Sequence, residues 1–188
     1  MGKKLSEMTL EELWELFPVF LVEHKKSWKK DYDEMAEFIN SGLKGIHVIR
    51  ISHIGSTAIN GIWAKDIVDI LVEIARTENF DNAANTIEKM GFIKMSSSES
   101  RYSFNWGYTE GGFADKVYHL HLRYEGDNDE LYFRDYMNEH PLYAKEYEKL
   151  KLNLWKLYEH DRDRYTKEKT AFVEKYTADA KKKYIDRY

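Results

Sequence analysis

The stretch that decides the fold is ISHIGSTAINGIWAKDIVDILVEI, residues 51–74. It predicts a strand over Ile46–Ser52, a tight glycine–serine turn that opens a short helical segment, and a second strand over Ile67–Ile74, because short apolar runs of this composition favour strands. Gly55 allows close backbone approach, and the amides that follow it can point at an anion. Asp69 stands inside the second, otherwise apolar strand, where an unpaired carboxylate is costly. A phosphate-binding turn that faces a strand carboxylate is what a metal-dependent nucleotide site requires.

The segment HIGSTAINGIWAKDIVDILVEI resembles the signature of the GrpB family, a group placed in the nucleotidyltransferase superfamily. The resemblance continues in HLHLRY (119–124), LYFRDYMNEHP (131–141) and YTKEKTAF (165–172), so it covers most of the chain. It implies a nucleotidyltransferase-like fold and a nucleotide-dependent activity.

The superfamily pattern is a hydrophobic residue, Gly and then Gly or Ser, a gap, and acidic–hydrophobic–acidic on the next strand. Here Ile54-Gly55-Ser56, a twelve-residue gap and Asp69-Ile70 match this pattern. Leu71 stands where the second carboxylate is expected, and that acid normally shares the divalent cation with the first. Because of this departure, the sequence is compatible with both an active and an inactive enzyme.

Asp69 is the candidate ligand for a divalent cation, magnesium or manganese, held together with the phosphates of a nucleoside triphosphate. The alternative is a carboxylate paired with a structural partner. Glu73 lies four residues on, roughly 13 Å along the strand, which is too far to share one ion easily. Asp66 lies on the opposite strand face unless it swings in from a loop.

His119 and His121 share one strand face, with Cβ positions roughly 7 Å apart. They can bind a transition metal, donate protons to phosphate, take the superfamily's third-carboxylate location, or be structural. A histidine-rich site favours zinc, manganese or nickel over magnesium. Asp69, His119 and His121 are therefore the predicted catalytic and metal-binding residues.

The predicted nucleotide-binding residues combine backbone or hydroxyl donors of the turn with nearby cationic side chains. They are Gly55, Ser56, Thr57, Lys65, Arg123 and Lys169. The alternatives are an ordinary turn before a helix, and a solvent-exposed charge for each lysine.

The 188 residues predict one α/β (α+β) domain, a small mixed sheet flanked by helices and followed by a helical C-terminal segment. Its parts are N-terminal helices in 1–42, a sheet core in 46–123 and C-terminal helices in 128–188. The individual predictions are helices over 27–40, 79–91, 128–138, 142–158 and 162–184, and a hairpin of strands 102–108 and 114–123. Thr9 is the predicted N-cap of a first, short helix.

Charge and composition limit the classes of partner. Residues 1–140 carry 16 basic and 24 acidic side chains, and residues 141–188 carry 13 and 9. An acidic body without a basic stripe disfavours nucleic acid, whereas the basic C-terminal segment suits a small phosphorylated ligand. The chain has no cysteine, and it has neither a signal-peptide core nor a membrane-spanning apolar run, so we expect a cytoplasmic protein.

Two functions follow as hypotheses. The first is metal-dependent transfer of a nucleotidyl group from a nucleoside triphosphate to an unidentified, small-molecule acceptor. The second is a nucleotide- or phosphometabolite-binding module on the same fold that has lost efficient catalysis, which the leucine at position 71 favours.

Overall fold

The computed structural model describes residues 3–188. Its larger sheet has five strands, and a separate two-stranded ribbon lies beside it. The strands are β1 Leu21–Val22, β2 Val48–Ile54, β3 Ala64–Lys65, β4 Val68–Ile74, β5 Ile93–Ser97, β6 Arg101–Thr109 and β7 Gly112–Tyr124. The helices are α1 Leu10–Leu16, α2 Ser27–Gly42, α3 Phe80–Lys89, α4 Asp129–Glu139, α5 Pro141–Tyr158, α6 Arg162–Lys167 and α7 Thr170–Lys183, with 3-10 turns at Leu5–Glu7 and Ser56–Ala58.

The five-stranded sheet has the order β2-β4-β7-β6-β5. Strands β4 and β7 are parallel, and the other neighbouring pairs are antiparallel. Strand β4 lies inside the sheet, and every residue of it except Asp69 is buried. A strand that is covered on both faces needs a nearly continuous apolar sequence, which is what VDILVEI supplies. The predicted mixed α/β sheet is therefore confirmed.

Helices α2 and α3 cover one face of this sheet. Trp28, Ile39 and Ile87 pack there against inward-facing residues of the central strands, such as Ile70 and Leu120. Burial of this apolar surface is the main source of stability for the sheet layer.

The opposite face is covered only in part. Leu131 of α4 packs on Ile54 of β2 and Leu71 of β4. Helices α4, α5 and α7 then form their own apolar cluster around Phe133 and Tyr147. The β7, β6 and β5 side of this face stays open, and the candidate site lies there.

Several local predictions are confirmed. Thr9 caps α1, and its side chain accepts a hydrogen bond from the backbone amide of Glu12. The second helix, the helix after β4 and the β6–β7 hairpin all form within a few residues of their predicted bounds. The turn at Ser56–Ala58 is the short helical segment that was expected after Gly55.

Two predictions differ from the structure. The first strand begins and ends two residues later than predicted, at Val48–Ile54, and it carries a register shift between Val48 and Arg50. The single helix predicted over 162–184 is wrong, because α6 ends at Lys167 and α7 begins at Thr170. The break brings the chain around Lys169 to the edge of the open sheet face. None of the helices within residues 3–188 is long and apolar enough to cross a membrane.

Candidate functional site

The site begins with a pairing between neighbouring strands. Asp69 on β4 is the register partner of Ile54 on β2 and of His119 on β7. Directly paired residues point to the same face of a sheet. Asp69, His119 and the end of β2 therefore meet on the open face.

Gly55 and the Asp69 carboxylate are in close contact. A Cβ placed on Gly55 would lie 2.2 Å from Asp69 Oδ2. Gly55 also has φ +70° and ψ −170°, a region that is nearly restricted to glycine. The structure thus brings together the two features that the sequence singled out, the glycine–serine turn and the strand carboxylate.

A cavity of about 1030 Å³ opens in front of this pair. Most of the predicted site residues line it: Gly55, Ser56, Lys65, Asp69, His119, His121 and Lys169. Pockets for drug-sized ligands measure about 300–1,000 Å³, so this cavity is large enough for a molecule of nucleotide size.

His119 is held at both ring nitrogens. Its Nδ1 lies 3.1 Å from Asp69 Oδ1, and its Nε2 lies 2.8 Å from the Tyr108 hydroxyl. Arg162 Nη2 donates to the Tyr108 oxygen at 2.8 Å. Because arginine only donates and an ionised carboxylate only accepts, the donors run in one direction, from Arg162 through Tyr108 and His119 to Asp69.

Burial and hydrogen bonding fix the charges of this chain of groups. Burial lowers the pKa of His119, whereas the hydrogen bond and charge of Asp69 raise it. The effect of burial is the larger one, so the ring is neutral. Burial alone raises the pKa of Asp69, but the hydrogen bond from His119 and the nearby ring of His121 hold it well below its usual range. Asp69 is therefore a carboxylate across the physiological pH range.

His121 is held less firmly. Its Nε2 lies 3.6 Å from Asp69 Oδ1, beyond hydrogen-bond distance, and its Nδ1 lies 3.4 Å from Ser103 Oγ. The ring lines the cavity. Of the two histidines, His121 has the weaker polar contacts and is better able to contact a ligand.

The cavity carries a cluster of cationic side chains, Lys65, Arg162 and Lys169. The Nζ atoms of Lys65 and Lys169 lie 5.8 Å and 4.5 Å from the centroid of the buried Tyr165 ring. Burial, followed by the charges of Arg162 and Lys169, lowers the pKa of Lys65 to about 7. The repulsion among these positive charges is relieved when an anion binds.

Two predicted site residues lie elsewhere. Thr57 is buried, and its Oγ1 is 2.9 Å from His53 Nε2, so it joins the turn to β2. Arg123 is also buried and donates from Nη1 to the carbonyl oxygens of Tyr102 and Leu122. Neither residue is among those that line the cavity.

The other acids of the motif region have structural partners. Glu73 accepts from Arg50 at 2.7 Å and from Asn128 at 2.9 Å. Asp66 accepts from Trp28 Nε1 at 2.7 Å. Leu71, at the position of the second carboxylate, is covered by the α4 helix and is fully buried.

The side chains of the site suit a hard cation that receives most of its oxygen ligands from a bound substrate and from water. Within residues 3–188, no group of three or more His, Cys, Asp and Glu side chains is arranged to hold a metal ion. Magnesium usually takes one or two carboxylates and fills its remaining positions with waters and substrate phosphates. Asp69 fits that role as the carboxylate on the sheet strand, beside the glycine–serine turn; Glu110 and Asp163 also line the cavity.

Sequence reasoning missed Tyr108 and Arg162. Both contribute to the site because Tyr108 of β6 lies beside His119 of β7, and because α6 brings Arg162 to the Tyr108 hydroxyl. Regular strand alternation places Tyr108 on the covered face with Tyr102 and Trp106. A register shift between Trp106 and Tyr108 turns Tyr108 to the open face instead, where its hydroxyl contacts His119.

Fold and site together define a mixed α/β protein with a cavity in which cationic side chains lie beside a glycine–serine turn and a strand carboxylate. The GrpB protein family matches residues 18–179, and the chain belongs to this family. It is similar to the glutamate-rich protein GrpB of Alkalihalophilus pseudofirmus, with 36% identity over 83% of this chain and 92% of that protein.

One solved structure of the family has the same fold. The crystal structure of GrpB from Enterococcus faecalis aligns at a TM-score of 0.75 with 27% identity, over 88% of this chain and 99% of that one. A weaker likeness, at a TM-score of 0.49 and 10% identity, is to the Cid1 poly (U) polymerase with MgGTP bound, over 78% of this chain and 46% of that one.

Proposed function

We propose that the cavity binds a nucleoside triphosphate with a divalent cation and transfers its nucleotidyl group to a small-molecule acceptor. The observation that carries the proposal is that Asp69, the Gly55-Ser56 turn and the cationic side chains of Lys65, Arg162 and Lys169 line one cavity. A triphosphate needs positive charge along its length and a carboxylate for its cation, and this cavity offers both.

The cationic residues and the turn bind the phosphates. Lys65, Arg162 and Lys169 neutralise negative charge, and Ser56 offers a hydroxyl donor beside the backbone amides of the turn. Asp69 would supply an oxygen ligand to magnesium, which, when bound, would offset the negative charge that develops at the α-phosphate of the transferred nucleotidyl group. Arg162, Tyr108 and His119 hold the Asp69 carboxylate in place through hydrogen bonds.

The reaction requires one bond to form and one to break. The acceptor oxygen attacks the α-phosphorus, the bond from that phosphorus to the bridging oxygen breaks, and pyrophosphate leaves. His121 takes the acceptor proton, because its ring contacts the cavity and has the weaker polar contacts of the two histidines.

A second candidate is a binding module that senses a nucleotide or phosphorylated metabolite without turnover. The position of Leu71 favours it, since this residue stands where the second carboxylate is expected and is buried under Leu131. Both candidates require the same phosphate contacts, and turnover distinguishes them.

Calorimetric titration with ATP, GTP, CTP and UTP in magnesium or manganese tests both candidates, combined with a transfer assay that uses α-labelled nucleotide. We expect Asp69→Asn and Lys169→Gln to weaken binding at least tenfold. The matched controls Asp33→Asn and Lys149→Gln change exposed side chains that do not line the cavity, and they should bind normally. No heat with any nucleotide and no product would remove the transferase and the nucleotide-sensing module, whereas binding without product selects the module.

A further inference from the structure

The floor of the cavity extends well beyond the phosphate-binding end. A row of register partners crosses the open face from Asp69 through His119 and Asn105 to Ile93 at the β5 edge. Paired residues share a face, so these four side chains line one continuous floor. The floor therefore begins at a carboxylate and ends at an apolar side chain.

The far end of the cavity is apolar. Ile93 and Met95 of β5 are 47% and 58% exposed, and Leu10 of α1 is 49% exposed. Leu13 and Trp14 of α1 line the same cavity. Large apolar side chains gathered on one concave surface, and left open to solvent, mark a site for an apolar ligand group.

Tyr108 links the segment after α1 to the polar end of the floor. Its ring centroid lies 4.8 Å from that of Phe17, which follows α1, and its hydroxyl contacts His119 and Arg162. A ligand that follows the floor from Asp69 toward Ile93 passes from polar to apolar surroundings. His121 and Met95 both line the cavity, so one bound molecule can reach both side chains.

We propose that the apolar end binds the body of the acceptor, and that the acceptor is an uncharged alcohol or phenol with an aliphatic or aromatic body. This inference rests on the proposed function. The cluster of Lys65, Arg162 and Lys169 repels polycationic acceptors, and the apolar wall gives a polyol nothing to replace its water contacts. The volume of about 1030 Å³ has room for such a molecule beside the nucleotide.

The test measures binding of 2-naphthol and of glycerol to the full chain in saturating ATP and magnesium, with ATP titrated separately. We expect 2-naphthol to bind at least tenfold more tightly than glycerol. Met95→Glu should weaken 2-naphthol about tenfold and leave ATP affinity unchanged, because it places a charge in the apolar wall only. Leu142→Glu, at a residue that is 81% exposed and outside the cavity, is the matched control and should bind both ligands normally.

Other outcomes overturn the inference in separable ways. Equal affinity for the two alcohols, or no effect of Met95→Glu on the affinity for 2-naphthol, would contradict the proposal of an apolar acceptor. If ATP still binds in that case, the proposed phosphate site is unaffected. Equal weakening of ATP and 2-naphthol by Met95→Glu assigns the apolar end to the nucleobase instead. Absence of ATP binding to the unmodified chain overturns the proposed function itself.

Discussion

His119 is the direct register partner of Asp69 on the parallel strand pair β4–β7, and its Nδ1 lies 3.1 Å from Asp69 Oδ1. The pairing fixes the tautomer of the ring. Since Nδ1–H donates to the carboxylate, Nε2 accepts from the Tyr108 hydroxyl at 2.8 Å. The neutral histidine thus links a cation, Arg162, to an anion, Asp69, without itself carrying charge.

Tyr108→Phe should raise the pKa of His119. The substitution removes the hydroxyl that donates to Nε2, and this hydrogen bond favours the neutral ring by about 1 kcal/mol. Proton titration of the histidine rings followed by NMR measures the effect. Tyr102→Phe is the control on the same strand, because that hydroxyl bonds to Asp81, away from the cavity. An unchanged His119 titration in Tyr108→Phe would show that the hydroxyl does not donate to the ring.

Gly55→Ala should cost more stability than Gly61→Ala and should also abolish nucleotide binding. Both glycines have φ +70°, but a Cβ on Gly61 meets nothing within 4 Å, whereas one on Gly55 meets Asp69 Oδ2 at 2.2 Å. We expect Gly61→Ala to cost about 1 kcal/mol from backbone strain. Gly55→Ala adds displacement of the carboxylate to that strain.

Urea unfolding and calorimetric titration with ATP measure the two effects separately. Gly61→Ala serves as the matched control for strain alone and should bind ATP normally. Equal losses of stability in the two variants, with ATP binding retained in both, would mean that Asp69 is free to move away from the turn.

The central part of this fold was predictable because its signals are local. An apolar run with one internal acid predicts β4, and a glycine–serine pair after a strand predicts the turn at Ser56–Ala58. Their mutual approach follows from antiparallel pairing of β2 with β4, which places Ile54 opposite Asp69. Side-chain alternation likewise placed His119 and His121 on one face.

The rest of the site depends on long-range packing. Arg162 reaches Tyr108 from 54 residues away along the chain. The break before Lys169 carries neither glycine nor proline, so no breaker signal marks it. Arg123 alternates with the cavity residues as predicted, yet at the end of β7 it has already passed the cavity and bonds to backbone carbonyls instead. Alternation gives the face of a residue, and tertiary structure decides what covers that face.

His53 should make the fold less stable as the pH falls. Its ring stacks on Tyr32 with centroids 4.9 Å apart, and burial lowers its pKa to about 4. The unfolded chain binds a proton near the ordinary pKa of about 6.5, whereas the folded chain resists it. Stability is therefore fully present above pH 6.5 and is lost as the pH falls toward 4.

Thermal unfolding at pH 7 and at pH 5 checks this sign. His53→Gln should reduce the drop in Tm between the two pH values, because one group that resists protonation is gone. His47→Gln, at an exposed residue, is the control and should keep the full drop. A drop in His53→Gln as large as in the unmodified chain would assign the pH dependence to other groups.

Lys65 should take up a proton when an anion binds. Its pKa of about 7 reflects burial and the neighbouring charges of Arg162 and Lys169, so above pH 7 it is mostly neutral in the empty cavity. A bound phosphate favours the charged ammonium and raises this pKa. Affinity for ATP should accordingly decrease as the pH rises from 6.5 to 8.5, because charging Lys65 then costs more free energy.

Calorimetric titration with ATP at pH 8, in two buffers of different ionisation enthalpy, gives the number of protons taken up. We expect a fractional uptake in the unmodified chain and a clearly smaller one in Lys65→Gln, together with a flatter pH dependence of affinity. Lys149→Gln, at an exposed lysine outside the cavity, should match the unmodified chain and so corrects for protons that the nucleotide itself exchanges. The same uptake in Lys65→Gln as in the unmodified chain would mean that the phosphates do not reach Lys65, and the binding mode would then rest on Arg162 and Lys169 alone.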